Sequence, residues 1–84
     1  MDKTAALVQL GQAVRHFRKA IGFSQEDLAD RTEIHRTYIG GIERGERNPT
    51  FLMIIRIARA LEVSASELLQ LTEAIANEGG QKVE

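Results

Sequence analysis

The chain has 84 residues, 43% of them hydrophobic, a net charge of −1 and no cysteine. That length supports one small domain with a thin core, so self-association is a route to extra stability. The composition excludes disulfides and thiolate metal sites, no apolar run approaches the roughly 20 residues of a membrane span, and no secretory signal opens the chain; a cytoplasmic protein is expected.

Leu7, Leu10, Val14, Phe17 and Ile21 recur at helical spacing. They predict a first helix over about 5–21, with Thr4 as its N-cap and Gly22 as the glycine past its end. Ser24 caps the next segment, with Gln25, Glu26 and Asp27 in a first turn that favours negative charge. This second helix is short, about 25–32, and faces Leu28 and Ala29 inward. A tight turn at Glu33-Ile34-His35 leads to a third helix over about 36–44, which stops at Gly45. Pro49-Thr50 starts a fourth helix, with either Asn48 or Thr50 as N-cap. Phe51, Ile54, Ile55, Ala58 and Leu61 are expected on its buried side. Ser64-Ala-Ser-Glu67 is a capping box that opens a fifth helix, expected to end near Ala76. Residues 79–84 read as a flexible tail after a single domain over 1–78. No strand pattern, repeat or low-complexity segment interrupts this order, so the fold class is all-α with five helices.

Charge is unevenly spread. Residues 36–59 carry Arg36, Arg44, Arg47, Arg56 and Arg59 against Glu43 and Glu46, whereas residues 62–84 carry Lys82 against five glutamates. A basic middle and an acidic end suit an anionic partner on one face, or ordinary solvated charge. Helices 2 and 3, joined by so short a turn, have the helix-turn-helix layout, whose second helix can enter the DNA major groove. On a helical wheel, Ile39, Ile42 and Glu43 fall on one side of helix 3. Thr37, Gly41 and Arg44 fall on the other, with Gly40 beside them. Two glycines inside one helix cost roughly 1 kcal/mol each against alanine. Bare backbone on the outward face would let the helix approach a surface closely; the alternative is that the glycines touch a neighbouring helix. Arginine can bind guanine O6 and N7 together, and threonine can meet a base with its hydroxyl or methyl. Tyr38, Gln25 and the amides opening helix 2 can bind phosphate, though Tyr38 can equally be a half-buried ring. Arg56 and Arg59 read as a solvated helix face. Glu43, facing inward, needs a partner, and Arg18 is the candidate, with its far side turned towards a phosphate.

The segment FSQEDLADRTEIHRTYIGGIERGERNPTFLMIIRIARALEVSASELL, residues 23–69, resembles the Xre/lambda-repressor-like (Cro/C1-type) helix-turn-helix family. The phrases SQEDLA, YIGGIERGERNP and ALEVSASELL carry the likeness, and HRTYIGGIERGERN is similar to the controller proteins of restriction-modification systems. The resemblance implies a five-helix lambda-repressor-like domain acting as a homodimer on operator DNA. It places His35, Arg36, Thr37 and Gly41 where relatives read bases. Gln25, Tyr38, Arg47 and Asn48 fall where relatives meet the backbone or flanking bases, and Arg18 with Glu43 where the family has an internal ion pair. Glu33 and Glu62 stand where the family often has glycine, so both are expected in a left-handed conformation.

Helix 5 carries two apolar stripes, Leu68, Leu71, Thr72 and Ile75 on one, and Ala65, Leu69 and Ala76 on the other. One can close the core and the other is spare, so Leu68, Leu69, Leu71, Thr72 and Ile75 are the expected dimer residues. His16 and His35 are the only histidines, and no carboxylate dyad or phosphate loop occurs at useful spacing. An enzyme, a metal site, a cofactor and a small-molecule ligand are therefore not expected. A regulator on a pseudo-palindromic operator is the favoured function. An antitoxin-type autorepressor that also binds a protein toxin is the alternative; the short stretch after helix 5 favours the first.

Overall fold

Four short side chains and four left-handed residues delimit most of the helices. The computed structural model describes the backbone of residues 2–83 and the side chains of residues 2–78. The helices are α1 (Lys3–Ile21), α2 (Gln25–Thr32), α3 (Arg36–Glu43), α4 (Phe51–Ala60) and α5 (Ala65–Val83). The N-cap of α1 is Asp2, not Thr4: its carboxylate accepts from the amides of Thr4 at 2.9 Å and Ala5 at 3.3 Å. An ionised carboxylate at that end also meets the positive pole of the helix, which a threonine does not offer. Ser24 and Asp27 form a reciprocal capping box at α2. The Asp27 carboxyl is held below its ordinary range, chiefly by the Ser24 backbone amide. Thr50 caps α4 through the Met53 amide, and Ser64 with Glu67 closes a second box at α5.

At their far ends α1, α3 and α4 close in the same way. The residue past each end is left-handed: Gly22 at φ 85°, Gly45 at φ 76° and Glu62 at φ 62°. Its amide and the next fold back on the last carbonyls, as in Gly45 to Ile42 and Glu46 to Gly41 at 3.0 and 2.8 Å. Gly45 is needed twice over, because a Cβ there would also come within 2.6 Å of Val8 Cγ2. Glu33, at φ 59°, ends α2.

The core gathers Leu10, Ala13 and Val14 of α1, Leu28 and Ala29 of α2, Ile34, Ile39 and Ile42 around α3, and Ile57, Ala58, Leu61 and Leu68 from the C-terminal half. α1 packs against α5 and α3, α2 against α3 and α4, and α4 against α5. The start of α4 departs from the expected stripe. Phe51 is 71% exposed, Ile54 and Ile55 are half-buried, and Ile57 is the fully buried isoleucine. Phe51 sits on the first turn, beyond the edge of the core.

Helix α5 continues to Val83, past the expected end near Ala76. The expected tail over 79–84 falls on residues whose side chains lie outside the described ones. The expected dimer set needs correction at Leu68. Leu68 is fully buried in the protomer. Leu71 and Ile75 pack against the core, and the Thr72 hydroxyl donates to the Leu68 carbonyl. Of the expected dimer residues Leu68 is thus spent on the protomer's core, whereas Leu71, Thr72 and Ile75 are half-buried and Leu69 is exposed. Among the described residues the large exposed apolar side chains are Phe51, Leu52 and Leu69.

Candidate nucleic-acid interface

The turn between α2 and α3 is built on Thr32. Its buried hydroxyl donates to the carbonyls of Leu28 and Ala29 and accepts from the Ile34 amide at 3.2 Å. The Thr32 carbonyl, left over at the end of α2, accepts from Arg56 of α4. Arg56 therefore ties α4 to the turn and does not merely cover a solvated face. These bonds fix the angle at which α3 is presented.

His35 caps α3: its Nδ1 accepts from the Thr37 amide at 3.1 Å. That nitrogen carries no proton, so in the neutral ring Nε2 does, and it remains an outward donor. Arg36 and Thr37, on the first turn, are exposed, and Arg36 has Glu26 of α2 at 3.9 Å.

The two glycines are not bare. Both are buried, and what covers them is arginine. A Cβ on Gly41 would lie 2.7 Å from Arg47 Cγ, and a Cβ on Gly40 would lie 3.0 Å from Arg44 Nη1. The open outward face does not describe them, and a neighbouring helix reaches only Gly40, where the Gln25 oxygen of α2 lies 3.4 Å from the Cβ position. They are seats into which the side chains of Arg44 and Arg47 fold. Arg47 also lies over the half-buried Tyr38 ring, 5.5 Å from its centroid. A ligand reaching Gly41 would have to displace Arg47.

The inner side of α3 is locked. Arg18 donates from Nε and Nη2 to both oxygens of Glu43, at 2.6 and 2.9 Å, and from Nη1 to the Phe23 carbonyl. The Glu43 side chain keeps 4% of its surface exposed and that of Arg18 keeps 10%. The carboxylate, by its hydrogen bond, raises Arg18 above its ordinary value. With its three donor nitrogens turned inward, Arg18 is a structural residue and not the phosphate contact expected of it. Gly11 makes the pairing close. A Cβ there would fall 2.4 Å from the Ile42 carbonyl oxygen, so α1 runs almost in contact with the backbone of α3. An isolated glycine within a helical pattern is the signal that could have found it.

Gln25 joins this network by donating from Nε2 to Glu43 at 3.0 Å. Its amide donor is thereby used, and its oxygen turns towards Gly40, 3.4 Å from where a Cβ would stand. Gln25, Arg36, Thr37, Gly40 and Arg44 then line one cleft of about 220 Å³. Arg44 reaches it while its Nε pairs with Glu46 at 3.1 Å. Glu46 and Glu26 were not singled out in the sequence, although Glu46 follows Arg44 by two residues across a helix-ending glycine. Asn48 stands apart, exposed, beside Lys3, Ala6 and Leu7 of α1.

The helix-turn-helix family profile matches residues 14–68. The chain belongs to the helix-turn-helix family. Among its helix-turn-helix relatives, the control protein C.SmaI of Serratia marcescens is 44% identical over 71 residues, 84% of this chain and 83% of that one. The solved structure of the restriction-modification controller protein C.AhdI from Aeromonas hydrophila is 45% identical, with a TM-score of 0.73, over 74% of this chain and 94% of that one. A structure of the controller protein C.Esp1396I, as a tetramer in complex with its natural 35-base-pair operator, is 35% identical with a TM-score of 0.76, over 82% and 91% of the two chains. The all-α lambda-repressor-like fold is therefore shared with helix-turn-helix controllers.

Proposed function

We propose that the protein is a sequence-specific transcriptional regulator that binds a pseudo-palindromic DNA operator as a homodimer, in the manner of a restriction-modification controller. The carrying observation is the outer side of α3, where Arg36 and Arg44 flank a glycine-floored cleft on the second helix of a rigid helix-turn-helix. His35, Arg36, Thr37 and Arg44 present donors and a methyl group to base edges. Tyr38 and Arg47 flank them as backbone contacts, Asn48 meets the backbone further out beside α1, Gly41 is the floor beneath Arg47, and Gln25 works through its oxygen and the amides that open α2. The likeness to C.SmaI and to operator-bound C.Esp1396I supports this reading. No helix of the described residues is long and apolar enough to cross a membrane, and a cytoplasmic regulator without enzymatic activity or cofactor fits the site.

The dimer places two α3 helices about 34–36 Å apart, or a multiple of that, along one face of the duplex. Leu69 is the exposed member of the expected interface, and Phe51 and Leu52 are further exposed apolar side chains that a second protomer would cover. Selection from a randomised duplex library should enrich a two-fold sequence with that spacing. Leu52→Glu should sediment as a monomer and lose affinity for it. A wild-type protein that enriches no sequence would refute the function, and an unchanged dimer in Leu52→Glu would refute the interface.

A further inference from the structure

Arg44 is held unlike an arginine waiting for a phosphate. Its Nε is 3.1 Å from a Glu46 oxygen, and both side chains are more than half exposed. Its Nη1 lies over Gly40, at 3.0 Å from the missing Cβ, next to the Gln25 oxygen. Three features of the backbone make this possible. Gly40 leaves the seat, Gly45 at φ 76° turns the chain back, and the Glu46 amide is bonded to the Gly41 carbonyl. Glu46 is thus fixed at its backbone where its carboxylate meets Arg44. The Glu46 carboxyl is held below its ordinary range, first by the hydrogen bond from Arg44.

We infer that Glu46 is a positioning residue for specificity, acting through Arg44. This rests on the DNA-regulator reading and adds a residue to it. An exposed, free arginine neutralises any phosphate that comes near, which strengthens binding to every sequence alike. Arg44 paired with Glu46 carries no net charge as a unit, and the carboxylate repels a phosphate approaching it. The guanidinium edge not used by Glu46 is directed into the cleft with Gln25, Arg36 and Thr37. An uncharged acceptor edge, such as guanine O6 and N7, can satisfy that edge without meeting the same repulsion. Glu46 therefore suppresses binding to unrelated DNA more than binding to the operator. The short local charge network explains how a chain of net charge −1 can place arginines on a polyanion selectively.

The test uses a duplex enriched by the wild-type protein from a random library, and an unrelated duplex of equal length. Affinity for each is measured by fluorescence anisotropy over a salt series, for wild type, Glu46→Gln, Arg44→Ala and the double variant. Glu46→Gln is expected to bind the unrelated duplex about tenfold more tightly and the enriched duplex at most about threefold more tightly, so the ratio between them falls. The salt slope on the unrelated duplex should steepen by about 0.9, one more phosphate neutralised. In the Arg44→Ala background the same change should leave the ratio where it was, because the effect passes through Arg44. An equal gain on both duplexes would reduce Glu46 to a contribution to overall charge and overturn the inference. A ratio that falls as much without Arg44 would overturn it too. A wild-type protein that enriches no sequence removes the DNA-regulator reading itself, and this inference with it.

Discussion

Glu43 and Glu46 stand three residues apart at the end of α3, and each holds an arginine. On the inner side, Glu43 and Arg18 keep 4% and 10% of their side-chain surface; on the outer side, Glu46 and Arg44 keep 60% and 58%. The chemistry is the same and the consequences differ. The inner pair is desolvated and bound at both oxygens, so its geometry cannot relax without leaving a buried charge. The outer pair is in water, is screened by salt, and can exchange partners. One helix therefore has a pinned side that sets its position and a solvent side whose arginines are held but can be released. A recognition helix needs both, because loose anchoring would blur whatever the outer side reads.

The largest effect should come from breaking the inner pair alone. Glu43→Ala leaves the Arg18 guanidinium buried beside the Phe23 carbonyl only, and should cost about 3–5 kcal/mol. Glu46→Ala should leave stability nearly unchanged, because its pair is exposed to water and screened by salt. Thermal denaturation of the two variants side by side decides the matter: comparable melting temperatures would erase the distinction. Next comes the contact that brings α1 to α3. Gly11→Val drives a side chain into the Ile42 and Glu43 carbonyls and should cost about 1–3 kcal/mol, by the usual penalty for overpacking. Denaturation in urea is the measurement, with an unchanged midpoint as the contrary result.

On the outer side, the changes should appear in binding and not in folding. Arg36→Ala should lose about 1–3 kcal/mol at one base position and relax specificity there, while Arg47→Ala weakens all sequences alike and flattens the salt dependence. Titrating each variant against every single-base change of the operator separates the two; full discrimination by Arg36→Ala would remove it from base reading. The smallest effect is expected at Gly41→Ala. Alanine gains up to about 1 kcal/mol of helix propensity, but its Cβ displaces Arg47 from its seat. Melting should shift by less than that amount while operator affinity falls with the displaced arginine. Melting and titration of the same sample test this, and unaltered affinity would show that the seat is dispensable.

Much of this was legible in the sequence because caps and periodicity are local. Ser24, Thr50 and Ser64 announce helix starts, Gly22 and Gly45 announce ends, and Glu33 and Glu62 adopt the left-handed conformation their positions suggested. The Arg18–Glu43 pair was readable because a carboxylate on an apolar helix face requires a partner. The misreadings share another cause. Phe51 to Ile57 is nearly continuous apolar sequence, so several stripes fit, and packing against α5 and α2 selects the one through Ile57. On α5, two stripes have equal periodicity, and only docking on α1 and α4 decides that Leu68 goes inward. The seats at Gly40 and Gly41 were hidden because long arginine side chains fold back from outside the glycines' own helix turn. A wheel puts Arg44 beside Gly40 but does not record the path of Arg47, which returns from beyond the helix.

The left-handed glutamates bear on how long the protein lasts in a cell. Glu33 and Glu62 occupy φ 59° and 62°, where a residue with a Cβ is held at a cost of roughly 1–2 kcal/mol. Glycine there would relieve the strain but free the unfolded chain as well, so each replacement recovers about 1 kcal/mol or less. In a domain of this size that margin governs the fraction open to proteases, and 1–2 kcal/mol can change abundance several-fold. Two strained backbone positions, one in the turn that leads into α3 and one past the end of α4, thereby narrow the stability margin of the whole domain.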